Sequence, residues 1–268
     1  MSEIFYGYPS AAIALAILAL TTIAMETGFR AGRRAAPRTG ESARSQVQAM
    51  QASLLGVLAL MLGFTFSIAL ERFNSRSEAL VHEANAIGTA YLRSALLPEG
   101  LRAEAGTFFA HYADARAITV TLTWKRRAER GPLNAEAQRL QGRLWAQAAD
   151  AARVSSSPAI AGLYLQSLNE MFDAHASVMA QVNRHVPLLV LLLLFGAFVI
   201  SGGLIGYVAG LANDRPRGAT LVMVALVVLL MFMIMDLDRP RRGIIQVNSQ
   251  ALLDANAAID RSQDAGKP

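Results

Sequence analysis

The chain has 268 residues, of which 53% are apolar and 17% are charged, and its formal net charge is +5. This composition is too apolar for an ordinary soluble domain and too charged for a bundle that lies wholly in the membrane. No nucleic-acid-binding motif accompanies the basic balance, so we expect arginine-rich loops and no nucleic-acid partner. The chain contains no cysteine, which excludes disulfides and thiolate metal sites.

Four long windows without charge predict an all-α integral membrane protein. A helix needs about 20 mostly apolar residues to cross the hydrocarbon core of a bilayer, and each window is long enough. The acidic start of the chain and the lack of a small-residue cleavage pattern indicate that the first helix is retained. The predicted spans are transmembrane helix 1 at 1–29, helix 2 at 52–70, helix 3 at 186–212 and helix 4 at 218–236.

A short turn near residue 215 joins predicted transmembrane helices 3 and 4, and two longer polar segments lie outside the spans. Residues 30–51 are predicted as an arginine-rich loop between transmembrane helices 1 and 2. Residues 237–268 form a C-terminal tail that is weakly helical from 249 to 258. Both segments are expected at the membrane surface or in water.

Residues 71–185 are predicted as a helical soluble domain inserted between transmembrane helices 2 and 3. Apolar residues recur in this block at helical spacing, and proline, glycine and serine divide it. The predicted helices are 71–97, 99–122, 133–154 and 158–185. We expect the first and the last of them to continue transmembrane helices 2 and 3 without a break.

The sequence offers no catalytic, metal-binding or cofactor-binding motif. Its four histidines lack the spacing of zinc motifs, and neither a glycine-rich phosphate loop nor a nucleophile motif is present. The segment ISGGL, which begins at Ile200, indicates close packing of small residues against another membrane helix. We therefore predict no enzymatic activity, no catalytic residue, no cofactor and no metal site.

One face of predicted helix 2 carries a stripe that is apolar or small in the membrane and polar beyond it. The pore-lining candidates are Gly56, Leu60, Phe64, Ser67 and Glu71. The vestibule candidates are Asn74, Glu78, His82 and Asn85. Such a stripe suits a helix that lines a pore and then its vestibule. The spacing alone favours a simpler explanation, in which small residues let two membrane helices approach and the polar residues form a wet face.

The sequence resembles the bestrophin-like domain family of bacterial membrane proteins in two places. The first is LMLGFTFSIALERFNSRSEALVHEANAIGTAYLRSALLP, at Leu60–Pro98. The second is DLDRPRRGIIQVN, at Asp236–Asn248, directly after the last predicted span. Together with the four-helix layout, the resemblance covers most of the chain.

A more distant resemblance to true bestrophins lies in LGF at residues 62–64, followed by an arginine and an aromatic residue at 72–73. Bestrophins are pentameric ion channels whose second membrane helices form a narrow apolar neck. The resemblance implies that Gly56, Leu60 and Phe64 form this neck, although Gly56 stands where a bulky apolar residue is expected. The calcium-binding acidic cluster of animal bestrophins is reduced to Asp236 and Asp238, so we infer no calcium site.

The charges around the first helix predict the orientation of the chain in the membrane. Glu3 precedes this helix, and three arginines follow within nine residues of Met25. The positive-inside rule then puts both termini and the helical soluble domain outside the cytoplasm. The resemblance to bestrophins implies the opposite orientation.

Two functional hypotheses follow. The first is a homo-oligomeric ion channel of the bacterial inner membrane, for which the resemblance implies a pentamer. Its partners are lipid, copies of itself and inorganic ions. The alternative is a membrane-anchored sensory or protein-interaction module without a pore. The chain has no kinase or similar output domain, which counts against a self-contained sensor.

Overall fold

The computed structural model describes residues 9–154, 157–215, 217–239 and 244–265, and the regular elements within these ranges are all helical. The α-helices are α1 (Ser10–Ala35), α2 (Glu41–Ser94), α3 (Glu99–Thr121), α4 (Arg130–Val154), α5 (Pro158–Val182), α6 (Leu188–Ala212), α7 (Arg217–Asp238) and α8 (Gln250–Ala265). Four of them, α1, α2, α6 and α7, include stretches long and apolar enough to cross a membrane. The all-α prediction with four spans is confirmed.

The predicted arginine-rich loop at 30–51 is wrong, because most of this segment is helical. Helix α1 continues to Ala35, a short 3₁₀ helix covers Ala36–Arg38, and α2 begins at Glu41. Arginine, glutamine and alanine favour helix, and an acidic first turn suits the helix dipole. A polar composition ends the membrane-spanning part of a helix without ending the helix itself.

Helix α2 is a single element from Glu41 to Ser94, which confirms the predicted continuation beyond residue 70. The predicted continuation of 158–185 into transmembrane helix 3 is wrong. Helix α5 ends at Val182, and α6 begins at Leu188, directly after Pro187. Proline lacks a backbone N–H, and its ring disfavours helical geometry in the residue before it, so the helix stops here.

The chain divides into two compact units. The membrane unit comprises Met1–Arg72 and His185–Ile245, and the helical unit comprises Phe73–Arg184 and Gln246–Pro268. The tail was predicted as only weakly helical over 249–258. Instead, α8 extends to Ala265, packs on α3 and buries Leu252 and Ile259 in the core of the helical unit.

Glycines hold α1 and α6 of the membrane unit in close contact. A Cβ added at Gly206 would overlap the Met25 carbonyl oxygen, and one added at Gly210 would overlap that of Phe29. On the other helix, a Cβ at Gly28 would overlap the Gly203 carbonyl oxygen. The close packing predicted from ISGGL is confirmed, since removal of side chains is what lets membrane helices approach this far.

The core of the helical unit contains a buried charged group on α2. The Glu83 carboxylate accepts hydrogen bonds from Nε and Nη2 of Arg116 at 2.6 and 2.9 Å, and Nδ1 of His175 lies 3.0 Å away. Burial opposes ionisation of Glu83, but the His175 and Arg116 hydrogen bonds outweigh it and lower the pKa of this carboxyl below its usual value. This cluster joins α2, α3 and α5.

Candidate pore-lining face of helix α2

The membrane part of α2 has one buried and one exposed face. Leu58, Leu62, Thr65 and Ala69 are buried at helical spacing. The five pore-lining candidates, Gly56, Leu60, Phe64, Ser67 and Glu71, are all exposed. Leu60 and Phe64 are 59% and 62% exposed, which is high for large apolar side chains. The predicted stripe therefore lies on the side of this segment that the chain leaves uncovered, a side that also includes Val57, Ile68 and Leu70.

The same division holds for the part of α2 that belongs to the helical unit. Its inward positions include Leu80, Glu83 and Ile87, which are buried. The vestibule candidates, Asn74, Glu78, His82 and Asn85, are all exposed. Spacing alone located this face, because helical residues three or four apart lie on one side.

Arg76 lies close in sequence to the glutamates of the face but does not belong to it. Its side chain is only 3% exposed. The guanidinium donates from Nε to the Gln181 carbonyl at 3.1 Å and from Nη2 to the Arg184 carbonyl, at the C-terminal end of α5. The guanidinium thus joins α2 to the last turn of α5 and to the residues just after it, where the regular helical hydrogen bonds end. Glu78 is therefore the acidic residue among the vestibule candidates, and Arg76 does not share its exposed face.

Asp236 and Asp238, at the end of α7, accept backbone hydrogen bonds. Oδ1 of Asp238 accepts from the Val186 N–H at 2.9 Å, and its Oδ2 lies 3.6 Å from Nδ1 of His185. Oδ2 of Asp236 accepts from the Ile245 N–H at 2.8 Å. These contacts tie the start of α6 and the chain after α7 to the end of α7. The sequence analysis did not predict these contacts, because neither the Val186 N–H nor the Ile245 N–H is a local helical partner of its aspartate.

No group of three or more histidine, aspartate or glutamate side chains within the described ranges is arranged to hold a metal ion.

Comparison with known proteins identifies the family. The Bestrophin-like domain profile matches residues 13–252, which is most of the chain. The chain belongs to the Bestrophin-like domain family. Both segments that carried the resemblance, Leu60–Pro98 and Asp236–Asn248, lie within the matched range of this Bestrophin-like protein.

Solved structures share the fold of this Bestrophin-like protein. A bacterial bestrophin homologue from Klebsiella pneumoniae is 14% identical, with a TM-score of 0.59 over 95% of this chain and 98% of that chain. A second structure, described as a membrane protein, is 14% identical, with a TM-score of 0.58 over 96% and 99% of the two chains. Among curated proteins, no sequence is significantly similar. At these identities the likeness establishes the fold alone.

Proposed function

We propose that this Bestrophin-like protein is a homo-oligomeric ion channel of the bacterial inner membrane, with α2 lining the pore. The observation that carries the proposal is the uncovered face of α2, which changes from apolar to polar along one unbroken helix. Lipid would suit Leu60 and Phe64, but it would not suit Ser67 and Glu71, which follow on the same side. A water-filled path between copies of the chain accommodates both parts.

The apolar part of the face supports a constriction at Phe64. Of the five pore-lining candidates, Phe64 alone is aromatic. It lies seven residues, or about 10 Å along the helix axis, from Glu71. A ring of such side chains blocks ions by excluding water, without a physical plug. Gly56 has no side chain to contribute, so Leu60 and Phe64 form the neck.

The charge of the face supports a preference for cations. Glu71 and Glu78 are exposed on it, whereas Arg76 is buried against backbone carbonyls. Rings of acidic side chains attract cations and repel anions in channel entrances. Arg72, the residue after Glu71, is only partly exposed.

We also propose, from the positive-inside rule, that the helical unit and both termini lie outside the cytoplasm. The natural chain has no cysteine, so single cysteines report position without background. In spheroplasts, Asp260→Cys should react with a membrane-impermeant maleimide, and Arg33→Cys should react only after permeabilisation. The reverse pattern would invert the orientation.

The alternative of an anchored interaction module rests on exposed apolar side chains near the end of α2. Leu92 and Leu96 are 70% and 55% exposed. Such side chains suit a protein partner as well as a neighbouring copy of the chain.

The test of the channel is ion flux through the purified full chain in liposomes, together with its oligomeric state in nanodiscs. We expect an oligomer that passes K⁺ in preference to Cl⁻. A monomer whose flux equals that of empty vesicles would contradict the channel and favour the anchored module.

A further inference from the structure

A cavity of about 390 Å³ lies in the membrane unit between α1, α6 and α7. Its walls are mainly apolar and include Leu18, Ile205 and Leu221. The hydroxyl of Thr22, which also lines it, already donates to the Leu18 carbonyl at 2.7 Å. From Leu18 to Glu26 the cavity follows α1 for eight residues, or about 12 Å. This is room for an extended apolar chain.

One end of the cavity carries charges of both signs. Oε2 of Glu26 lies 3.3 Å from Nη1 of Arg215, and Oε1 of Glu26 accepts a hydrogen bond from Nε of Arg30 at 2.9 Å. The guanidinium of Arg215 stands over the ring of Phe29, 3.6 Å from its centroid, which fixes its position. The side chains of Glu26 and Arg215 remain 38% and 35% exposed, so a ligand can reach them.

This end of the cavity lies at the boundary between lipid and water. The uncharged run of α1 stops at Glu26, and Arg30, Arg33 and Arg34 follow it. Arg215 belongs to the turn that joins α6 to α7 at the same end. An amphiphile with its tail among the apolar walls would therefore have its headgroup beside Glu26 and Arg215.

We propose that this cavity binds a bilayer phospholipid whose headgroup carries both a phosphate and a primary ammonium. One acyl chain lies along α1, the phosphate meets Arg215 and Arg30, and the ammonium donates hydrogen bonds to Glu26. Paired opposite charges match such a zwitterionic headgroup, because each charge of the lipid gains a charge-assisted hydrogen bond. A trimethylated ammonium cannot donate a hydrogen bond to Glu26, and a headgroup without an ammonium offers that carboxylate no positive charge.

Lipid retention tests the proposal on the purified full chain. The chain is stripped of lipid in detergent, incubated with equimolar phosphatidylethanolamine, phosphatidylcholine and phosphatidylglycerol, and the bound lipids are counted by native mass spectrometry. We expect a preference for phosphatidylethanolamine. Glu26→Gln should reduce that preference roughly fivefold, because it weakens one charge-assisted hydrogen bond at a half-exposed site. Glu41→Gln, an exposed acid that does not line the cavity, should leave it unchanged.

Occupancy of the cavity itself is tested by a matched pair of bulky variants. Leu221→Trp fills the cavity, whereas Leu226→Trp enlarges another exposed leucine of α7 that does not line it. Only the first should lose the bound lipid. Equal retention by both variants, or an equal affinity for the three lipids, would overturn the proposal.

A photo-crosslinking residue at position 221 identifies the occupant. A phospholipid adduct on the crosslinked chain supports the proposal, and an adduct between two copies of the chain overturns it in favour of a subunit interface. Free phosphoethanolamine should not compete with the lipid, since it lacks the acyl chain that the apolar walls hold. These readouts do not depend on ion conduction, so the proposal can fail or succeed independently of the channel.

Discussion

Arg116 of α3 holds the Glu83 carboxylate of α2 with two hydrogen bonds, although both side chains are fully buried. The two residues are 33 positions apart in the sequence. His82 and Asn85, on either side of Glu83, are exposed on the candidate vestibule face. The same turn of α2 therefore anchors the helical unit on one side and presents polar groups to solvent on the other.

Arg116→Met should destabilise the helical unit by roughly 3–5 kcal/mol, because it leaves the Glu83 carboxylate buried without its main partner. The double variant Glu83→Met with Arg116→Met should be more stable than Arg116→Met alone, since no buried charge remains unpaired. Chemical denaturation followed by circular dichroism measures both. His82→Ala, at an exposed position, is the control and should change the unfolding free energy little.

Acidification should destabilise the helical unit through Glu83. Its pKa in the folded protein lies below the ordinary value of 4.5. Its ionisation therefore contributes stability that is complete above about pH 4.5 and is lost as the pH falls through the folded pKa. The thermal midpoint should fall over this acidic range, and the decrease should be smaller in Glu83→Gln. Identical pH profiles for the two proteins would contradict this role.

Substitution of Gly206 by alanine should destabilise the membrane unit by roughly 1–3 kcal/mol, because the added methyl group overlaps the backbone of α1 at Met25. Gly196→Ala is the matched control on the same helix. A Cβ at Gly196 meets no atom within 4 Å, so this variant should be neutral or stabilising. The two variants are compared by their thermal unfolding midpoints in detergent. Equal midpoints would argue against close packing of α1 and α6.

Phe64→Ala should raise ion flux several-fold in liposomes, because a shorter side chain widens and rewets the proposed neck. Leu60→Ala should act in the same direction more weakly. Phe66→Ala is the control, since Phe66 is partly buried and lies about 200° around the helix from Phe64. Flux is compared at matched protein content. An equal effect of Phe64→Ala and Phe66→Ala would place the constriction elsewhere.

Glu78→Gln should lower the ratio of K⁺ to Cl⁻ permeability by roughly threefold, because charged clefts raise the local counter-ion concentration by on the order of tenfold or more. Glu99→Gln removes an exposed acid outside the α2 face and should leave the ratio unchanged. Reversal potentials in asymmetric KCl measure this permeability ratio for each variant. If the two variants behave alike, Glu78 does not face the ion path.

The four spans and the exposed face of α2 could be predicted from the sequence. A bilayer core requires about 20 apolar residues per helix, so uncharged windows are sufficient to find the spans. Helical periodicity is a local property, so Leu60, Phe64 and Glu78 could be assigned to one face before their surroundings were known. The break between α5 and α6 could also have been predicted locally, because Pro187 disfavours a helix that runs through it.

Only the tertiary structure decided where the long polar side chains point and what they bind. Arg76 lies only two residues before Glu78, yet its side chain donates to carbonyls more than a hundred residues away. The Asp238 carboxylate likewise binds a group distant in the sequence, since it accepts a hydrogen bond from the Val186 N–H just before α6. Periodicity assigns a residue to a side of its own helix. The partner of a buried charge depends on which helix packs against it, because a hydrogen bond or ion pair to that helix must offset the loss of hydration.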